Sequence, residues 1–140
     1  MSDCIFCNIV LGKSPASVVY RDEHCTAFMD IQPVNAGHVL IVPNRHATYL
    51  ADLDAETGAQ MFRVAQQIAA ALRNSGIKCE GVNFLLADGK AANQEVFHVH
   101  LHVIPRFQGD GFGFTFPSGY TEKPERSELD TTAQQIKQAL

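Results

Sequence analysis

Three of the six histidines fall within five residues, His98-Val-His100-Leu-His102, and the residues between them are apolar. In a strand alternate side chains share a face, so Val99, Leu101 and Val103 pack toward a core while His98, His100 and His102 line the opposite surface. A neutral imidazole is a good nucleophile toward phosphorus, and with a reference pKa of about 6.5 it needs no separate base near neutral pH. Neighbouring imidazoles would steady the phosphate oxygens or protonate a leaving group. A lone histidine in a strand is ordinarily structural or superficial; strict alternation with apolar neighbours argues for chemistry.

Metal chelation is the rival reading, since a His-x-His pair on a strand can hold one ion at a Zn–N distance of about 2.0 Å. At roughly 3.3 Å per residue, however, His98 and His102 lie about 13 Å apart. The full row cannot meet at one ion, which disfavours a zinc-dependent hydrolase. Ahead of the row, Asp88-Gly89-Lys90 and Asn93-Gln94 offer backbone N–H groups and amides where a phosphate would sit. Cys4-Ile-Phe-Cys7 has the spacing of half a zinc site and needs two further ligands. Cys25 and Cys79 stand singly in apolar segments and read as buried thiols.

The elements that must position these residues are visible as patterns. Residues 17–20 and 24–30 flank the turn-like Arg21-Asp22-Glu23 and read as a hairpin. The continuous apolar run from His38 to Pro43 reads as a buried strand that Pro43 ends. Asp54 is an N-cap, and Met61, Val64, Ala65, Ile68 and Leu72 recur at helical spacing until Asn74-Ser75-Gly76 stops the one long helix. Residues 81–87 and 96–105 supply two more strands. The sum is an α+β domain with a mainly antiparallel sheet. Beyond Gly109 an irregular aromatic arm carries Phe112, Phe114, Phe116 and Tyr120, and the tail from Ser127 spaces Leu129, Ala133, Ile136 and Leu140 for a short helix.

A chain of 140 residues, 46% hydrophobic, has the size of one domain with a single core. Eleven Lys and Arg against fifteen Asp and Glu leave a net charge of -4, which disfavours a nucleic-acid partner. No apolar run approaches the ~18 residues that span a bilayer, and Met1-Ser-Asp-Cys4-Ile5 lacks the pattern of a signal peptide. Four cysteines are too few and too irregular for a disulfide framework. The expectation is a cytoplasmic protein with no membrane association.

The segment His98-Val-His100-Leu-His102-Val-Ile104 resembles the signature of the histidine triad (HIT) family, His-φ-His-φ-His-φ-φ with φ apolar. Agreement extends through Asp3-Cys-Ile-Phe-Cys-Asn-Ile9, Ala27-Phe-Met-Asp30-Ile31, Gly37-His38-Val-Leu-Ile-Val-Pro43 and Asn93-Gln94-Glu95-Val-Phe-His98, and is strongest toward the Hint-like hydrolases of bacteria and archaea. It spans about residues 3–112, so a HIT domain is expected over 1–112 and an arm and tail over 113–140. The resemblance implies a five-stranded antiparallel sheet with one long and one short helix, pairing into a ten-stranded homodimer. It also implies metal-independent hydrolysis or transfer at the α-phosphate of purine nucleotides, either phosphoramidates or dinucleoside polyphosphates, with release of a nucleoside monophosphate.

By position, His100 would be the nucleophile, His102 would contact the α-phosphate and assist the leaving group, and His38 and His98 would orient the nucleophile. Asp30 matches the acid that binds the ribose hydroxyls; Phe6, Ile9, Phe28 and Ile31 match the walls around the base; Asn93, Gln94 and Glu95 belong to the nucleotide-binding loop. In relatives with the N-terminal cysteine pair, the two thiolates resemble half of a structural Cys2His2 zinc site, completed here by His46 and His98. Three departures stand out: Ala87 in place of a polar residue, Asn93 in place of Gly, and Glu95 in place of Ser or Thr. A carboxylate at position 95 would favour an amine or cationic leaving group. A reading from another class is a nucleotide-binding regulatory module whose hydrolysis is incidental.

Overall fold

The computed structural model describes residues 3–140. Met1 and Ser2, the first residues of the stretch read for a signal peptide, lie outside the described residues. The chain divides into two units, one ending at Asp110 and the other Gly111–Leu140. In the first, the elements follow in the order α1 (Ile5–Val10), β1 (Val18–Arg21), β2 (Cys25–Met29), β3 (Val39–Pro43), α2 (Ala55–Asn74), β4 (Gly81–Leu86) and β5 (Leu101–Arg106). The five strands form one antiparallel sheet in the order β1-β2-β3-β5-β4.

Alternation along the strands builds a different layer on each face. Cys25, Ala27, Val39, Ile41, Leu101 and Val103 point to α2 and pack with Met61, Val64, Ala65, Ile68 and Leu72, the residues whose spacing marks the helix in the sequence. Phe28, Leu40 and Val42 point the other way and pack with Phe6 and Ile9 of α1. Register carries this second face across the sheet: Leu40 stands opposite Phe28 on β2 and His102 on β5, and His102 stands opposite Leu85 on β4. His102 is thereby placed beside the α1 layer.

Helix α2 starts as the sequence predicts, with the Asp54 carboxylate accepting from the Thr57 N–H at 3.0 Å. Gly37, just before β3, has φ +98°, and a Cβ there would come within 3.0 Å of Leu72 and 3.1 Å of Ile77. Glycine is what lets the chain turn beneath the end of α2 and enter β3 at His38.

Two expectations need correction, and one helix is new. The last strand begins at Leu101 rather than Val96, because the residues before it bond elsewhere: the Val99 N–H donates to the Ala47 carbonyl at 2.8 Å and His98 Nε2 to the Pro43 carbonyl at 2.9 Å. Helix α1 has no counterpart in the sequence reading; six residues are too few for periodicity, and its cap is an unusual one, the Cys4 thiol accepting from the Cys7 N–H at 3.4 Å. The tail helix, α3 (Arg126–Ala139), is 14 residues long rather than short, started by the Glu128 carboxylate accepting from the Glu125 N–H. Within the second unit, Phe116 and Tyr120 stack at 4.1 Å. No helix among the described residues is long and apolar enough to cross a membrane.

The β1–β2 turn hangs on Asp22. Its carboxylate accepts from the Tyr20 hydroxyl (2.7 Å), the His24 and Cys25 N–H groups (2.7 and 2.8 Å) and the Gln60 amide of α2 (2.8 Å). Burial alone would raise its pKa, but these donors outweigh burial and hold the carboxyl well below its ordinary value of 3.8. A folded-state pKa below the unfolded one contributes stability that is present above pH 3.8 and lost as pH falls through and beneath it. Asp22→Asn turns an NH2 toward these donors and should lower unfolding stability by about 2 kcal/mol in urea titrations at pH 7. The same variant should show a flatter loss of stability below pH 4 than the natural chain.

Candidate functional site

Two clusters meet along the segment 98–102. The first gathers Cys4 and Cys7 from the start of α1 with His46 and His98. Cys4 Sγ is 3.3 Å and Cys7 Sγ 3.5 Å from His98 Nδ1; His46 Nδ1 is 3.3 Å from Cys7 Sγ and 3.2 Å from His98 Nδ1. His98 is fully buried. Because its Nε2 donates to the Pro43 carbonyl, the lone pair on Nδ1 is turned into the cluster. His46 makes the matching contact from Nε2 to the Thr48 hydroxyl at 3.2 Å. Two thiols and two imidazole lone pairs thus converge. A tetrahedral ion with Zn–N near 2.0 Å and Zn–S near 2.3 Å requires donor separations of roughly 3.3 to 3.8 Å. The donor set and its spacing fit zinc.

The second cluster holds His100, His102, His38 and Asp30. His100 Nδ1 lies 2.8 Å from the His98 carbonyl oxygen, so this nitrogen carries the proton and Nε2 keeps its lone pair. The Phe6 ring meets His100 edge-on at 5.2 Å and Phe28 at 5.5 Å, and Phe6, Ile9 and Phe28 are all buried. His38 Nδ1 accepts the Val34 N–H at 3.0 Å, which leaves Nε2 as its protonated nitrogen. That Nε2 is 2.9 Å from His102 Nδ1 and 3.5 Å from Asp30 Oδ2. His102 therefore accepts at Nδ1 and presents its own N–H at Nε2. These assignments follow from what each partner can donate or accept.

Asp30, His38 and His102 also bring three ligand types together. Ligation through His38 Nε2 would demand a proton-free ring, since Nδ1 already accepts from the backbone. The trio fits a hydrogen-bonded relay better than a metal site. Burial lowers the pKa of both imidazoles: for His38 against the opposing pull of Asp30, and for His102, helped by the neighbouring His100 and His38, down to about 4. Both rings are neutral at pH 7.

The loop before the triad wraps around one side chain. Gln94 is buried; its Oε1 accepts the Gly89 N–H at 2.7 Å, and its Nε2 donates to the Thr48 and Val96 carbonyls at 2.8 and 3.2 Å. Asn93 holds the left-handed position at φ 70°, the conformation that asparagine tolerates best after glycine.

Most of the residues singled out from the sequence gather at these clusters. His98 and His100 are almost wholly buried instead of lining an open surface, and the three histidines divide their work: His98 turns to the cysteines, His102 to His38, and His100 stands between. Ile31 is 98% exposed and does not join Phe6, Ile9 and Phe28 in the packed wall. Asn93 and Glu95 are exposed, whereas the Gln94 amide is engaged at both ends. Sequence reasoning missed Val34, Pro43 and Thr48. All three act through main-chain atoms, which no residue type announces.

A family model, the HIT domain, matches residues 12–109. The chain is 45% identical to a HIT-like protein of Borreliella burgdorferi over 81% of this chain and 83% of that protein. Among solved structures it is similar to a HIT family member from Bacillus subtilis (TM-score 0.90, 36% identity, 99% and 98% of the two chains). A zinc-bound histidine triad protein from Mycobacterium smegmatis matches with TM-score 0.76 and 42% identity over 99% and 98% of the chains. A histidine triad nucleotide-binding protein from Candida albicans matches with TM-score 0.85 and 28% identity over 98% and 96%.

The depressed pKa of His102 has a measurable consequence. The unfolded chain takes up its proton near 6.5 and the folded ring only near 4, so stability should decline as pH falls between these values and level off below them. Imidazole NMR resonances should show His102 titrating near pH 4; a midpoint at or above 6 would contradict the buried relay.

Proposed function

Since the chain belongs to the HIT domain family, we propose that it is a nucleotide hydrolase acting at the α-phosphate of nucleoside phosphoramidates or dinucleoside polyphosphates, with His100 as the nucleophile. The observation that carries this reading is the bond from His100 Nδ1 to the His98 carbonyl, which reserves the Nε2 lone pair for attack. Nε2 forms a bond to phosphorus as the P–N or P–O bond to the leaving group breaks. The leaving group keeps the bonding electrons and takes a proton from solvent, which the proton lost by water in the second step replaces. Water then attacks the phosphorus, loses a proton, displaces Nε2 and releases the nucleoside monophosphate. A neutral His102 presents Nε2–H to the phosphoryl oxygens, where a hydrogen bond strengthens as charge develops. Asp30 takes the ribose hydroxyls, and Phe6, Ile9 and Phe28 back the base.

The Cys2His2 cluster would hold a structural zinc, supported by the donor geometry and by the zinc-bound relative. When bound, the ion closes α1 onto the 43–48 turn and His98; its chemistry there is cross-linking. Cys25 and Cys79 are free thiols, which suits a reducing compartment and supports a cytoplasmic location. Edge strand β4 leaves Phe84 and Leu85 about 40% exposed, Phe84 beside Phe62 of α2 and Leu85 on the opposite face. An apolar open edge of this kind supports pairing with a second copy into a ten-stranded sheet.

His100→Ala should abolish covalent labelling by a nucleoside phosphoramidate and cut kcat by on the order of 10⁴-fold while AMP binding persists. Undiminished turnover would remove the nucleophile from the mechanism; retained partner capture without turnover would favour the regulatory reading. Elemental analysis of protein prepared without added metal should find one zinc per chain, and Cys4→Ser should lower both occupancy and Tm. Phe84→Asp should move the sedimentation profile from dimer to monomer.

A further inference from the structure

Gln94 spends its side-chain hydrogen bonds on Gly89, Thr48 and Val96, none of them a member of either cluster. Its orientation is dictated by its neighbours, since the Gly89 N–H demands an oxygen and the Thr48 and Val96 carbonyls demand an amine. At 4% exposure it has no free polar valence to offer a phosphate without breaking one of these bonds. Its two ends belong to different loops. The Oε1 end closes residues 89–94, where Gly89 also accepts through its carbonyl from the Ala92 and Gln94 N–H groups at 3.1 Å each. The Nε2 end grips Thr48, whose hydroxyl meets His46 Nε2 at 3.2 Å while His46 Nδ1 faces the cysteines. A continuous path therefore runs from the Cys2His2 cluster through His46, Thr48 and Gln94 to the Gly89 amide. The second tie between these loops, from the Leu50 N–H to Asp88 Oδ1 at 2.9 Å, is exposed and competes with water.

We propose that Gln94 is a positioning residue that couples metal occupancy of the Cys4, Cys7, His46 and His98 cluster to the order of the 88–94 loop, and through that loop to binding of the substrate phosphate. The phosphate half of this inference rests on the proposed function; the loop half does not. Coupling of this kind is reciprocal, so a metal that tightens nucleotide binding is itself held more tightly when nucleotide is bound. A buried amide bonded at both ends suits the role because moving either loop leaves a desolvated polar group unpaired.

Amide hydrogen exchange on the full chain, loaded with Co(II) or stripped by a chelator, tests it. In the natural chain, stripping should speed exchange at Gly89 by tenfold or more while the β5 amides keep their protection, and should weaken AMP binding about fivefold. Gln94→Met should retain the Co(II)–thiolate absorption but exchange rapidly at Gly89 in both metal states, with AMP affinity independent of metal. Should Gln94→Met fail to fold, Gln94→Glu keeps an acceptor for Gly89 and loses the donors to Thr48 and Val96, so Gly89 should stay slow in both states. Gly89 exchange indifferent to metal in the natural chain, deprotection shared equally by β5, or metal dependence retained in the variants would overturn the coupling. Absence of AMP binding in either metal state would instead overturn the nucleotide reading, with Gly89 exchange still deciding the loop coupling.

Discussion

An imidazole has two nitrogens, and in this protein the main chain claims one of them on each of three histidines. The Pro43 carbonyl takes Nε2–H of His98, the His98 carbonyl takes Nδ1–H of His100, and the Val34 N–H occupies Nδ1 of His38. The remaining nitrogen of each ring then has one chemical character: a lone pair toward the thiols on His98, a lone pair at Nε2 on His100, a donor toward His102 on His38. Backbone groups can do this reliably because the sheet and its turns fix them, at no cost in side-chain entropy.

The sheet supplies that fixity. Phe28, Leu40, His102 and Leu85 form one row across four strands, so His102 sits where the α1 layer ends and the relay with His38 begins. Burial on this face lowers the basicity of His38 and His102 and keeps both neutral, in the state needed for hydrogen-bonded relay rather than charge repulsion. His98 links the two clusters directly, its ring facing the cysteines while its carbonyl orients the His100 ring.

Departures from the sequence reading occur where a polar group found a partner outside its own element. The strand starts late because Val99 and His98 bond to the 43–47 turn, and the triad is divided between two clusters for the same reason. Alternation still holds for the apolar members: Val99, Leu101 and Val103 all enter the α2 core. Helix α1 escaped notice because its cap is a thiol, and the Gln94 amide turned inward because two loop carbonyls and an N–H needed satisfying.

Sequence alone determined the α+β class, the long helix, the strand pattern and the family signature, because periodicity and residue spacing are local quantities that burial merely reads out. It also singled out the imidazoles and thiols that the fold gathers into two clusters, since both are side-chain properties. Tertiary structure decided which nitrogen of each imidazole is available, which cysteines meet which histidines, and that Ile31 stays in solvent while Gln94 does not. Some of those outcomes depend on groups 46 to 94 residues away in sequence, as between Gln94 and Thr48 or Cys4 and His98, and others on main-chain atoms two to four residues away whose placement the fold fixes, as at His100 and His38. Every residue but proline carries the same N–H and every residue the same carbonyl, so only folding can say which one arrives.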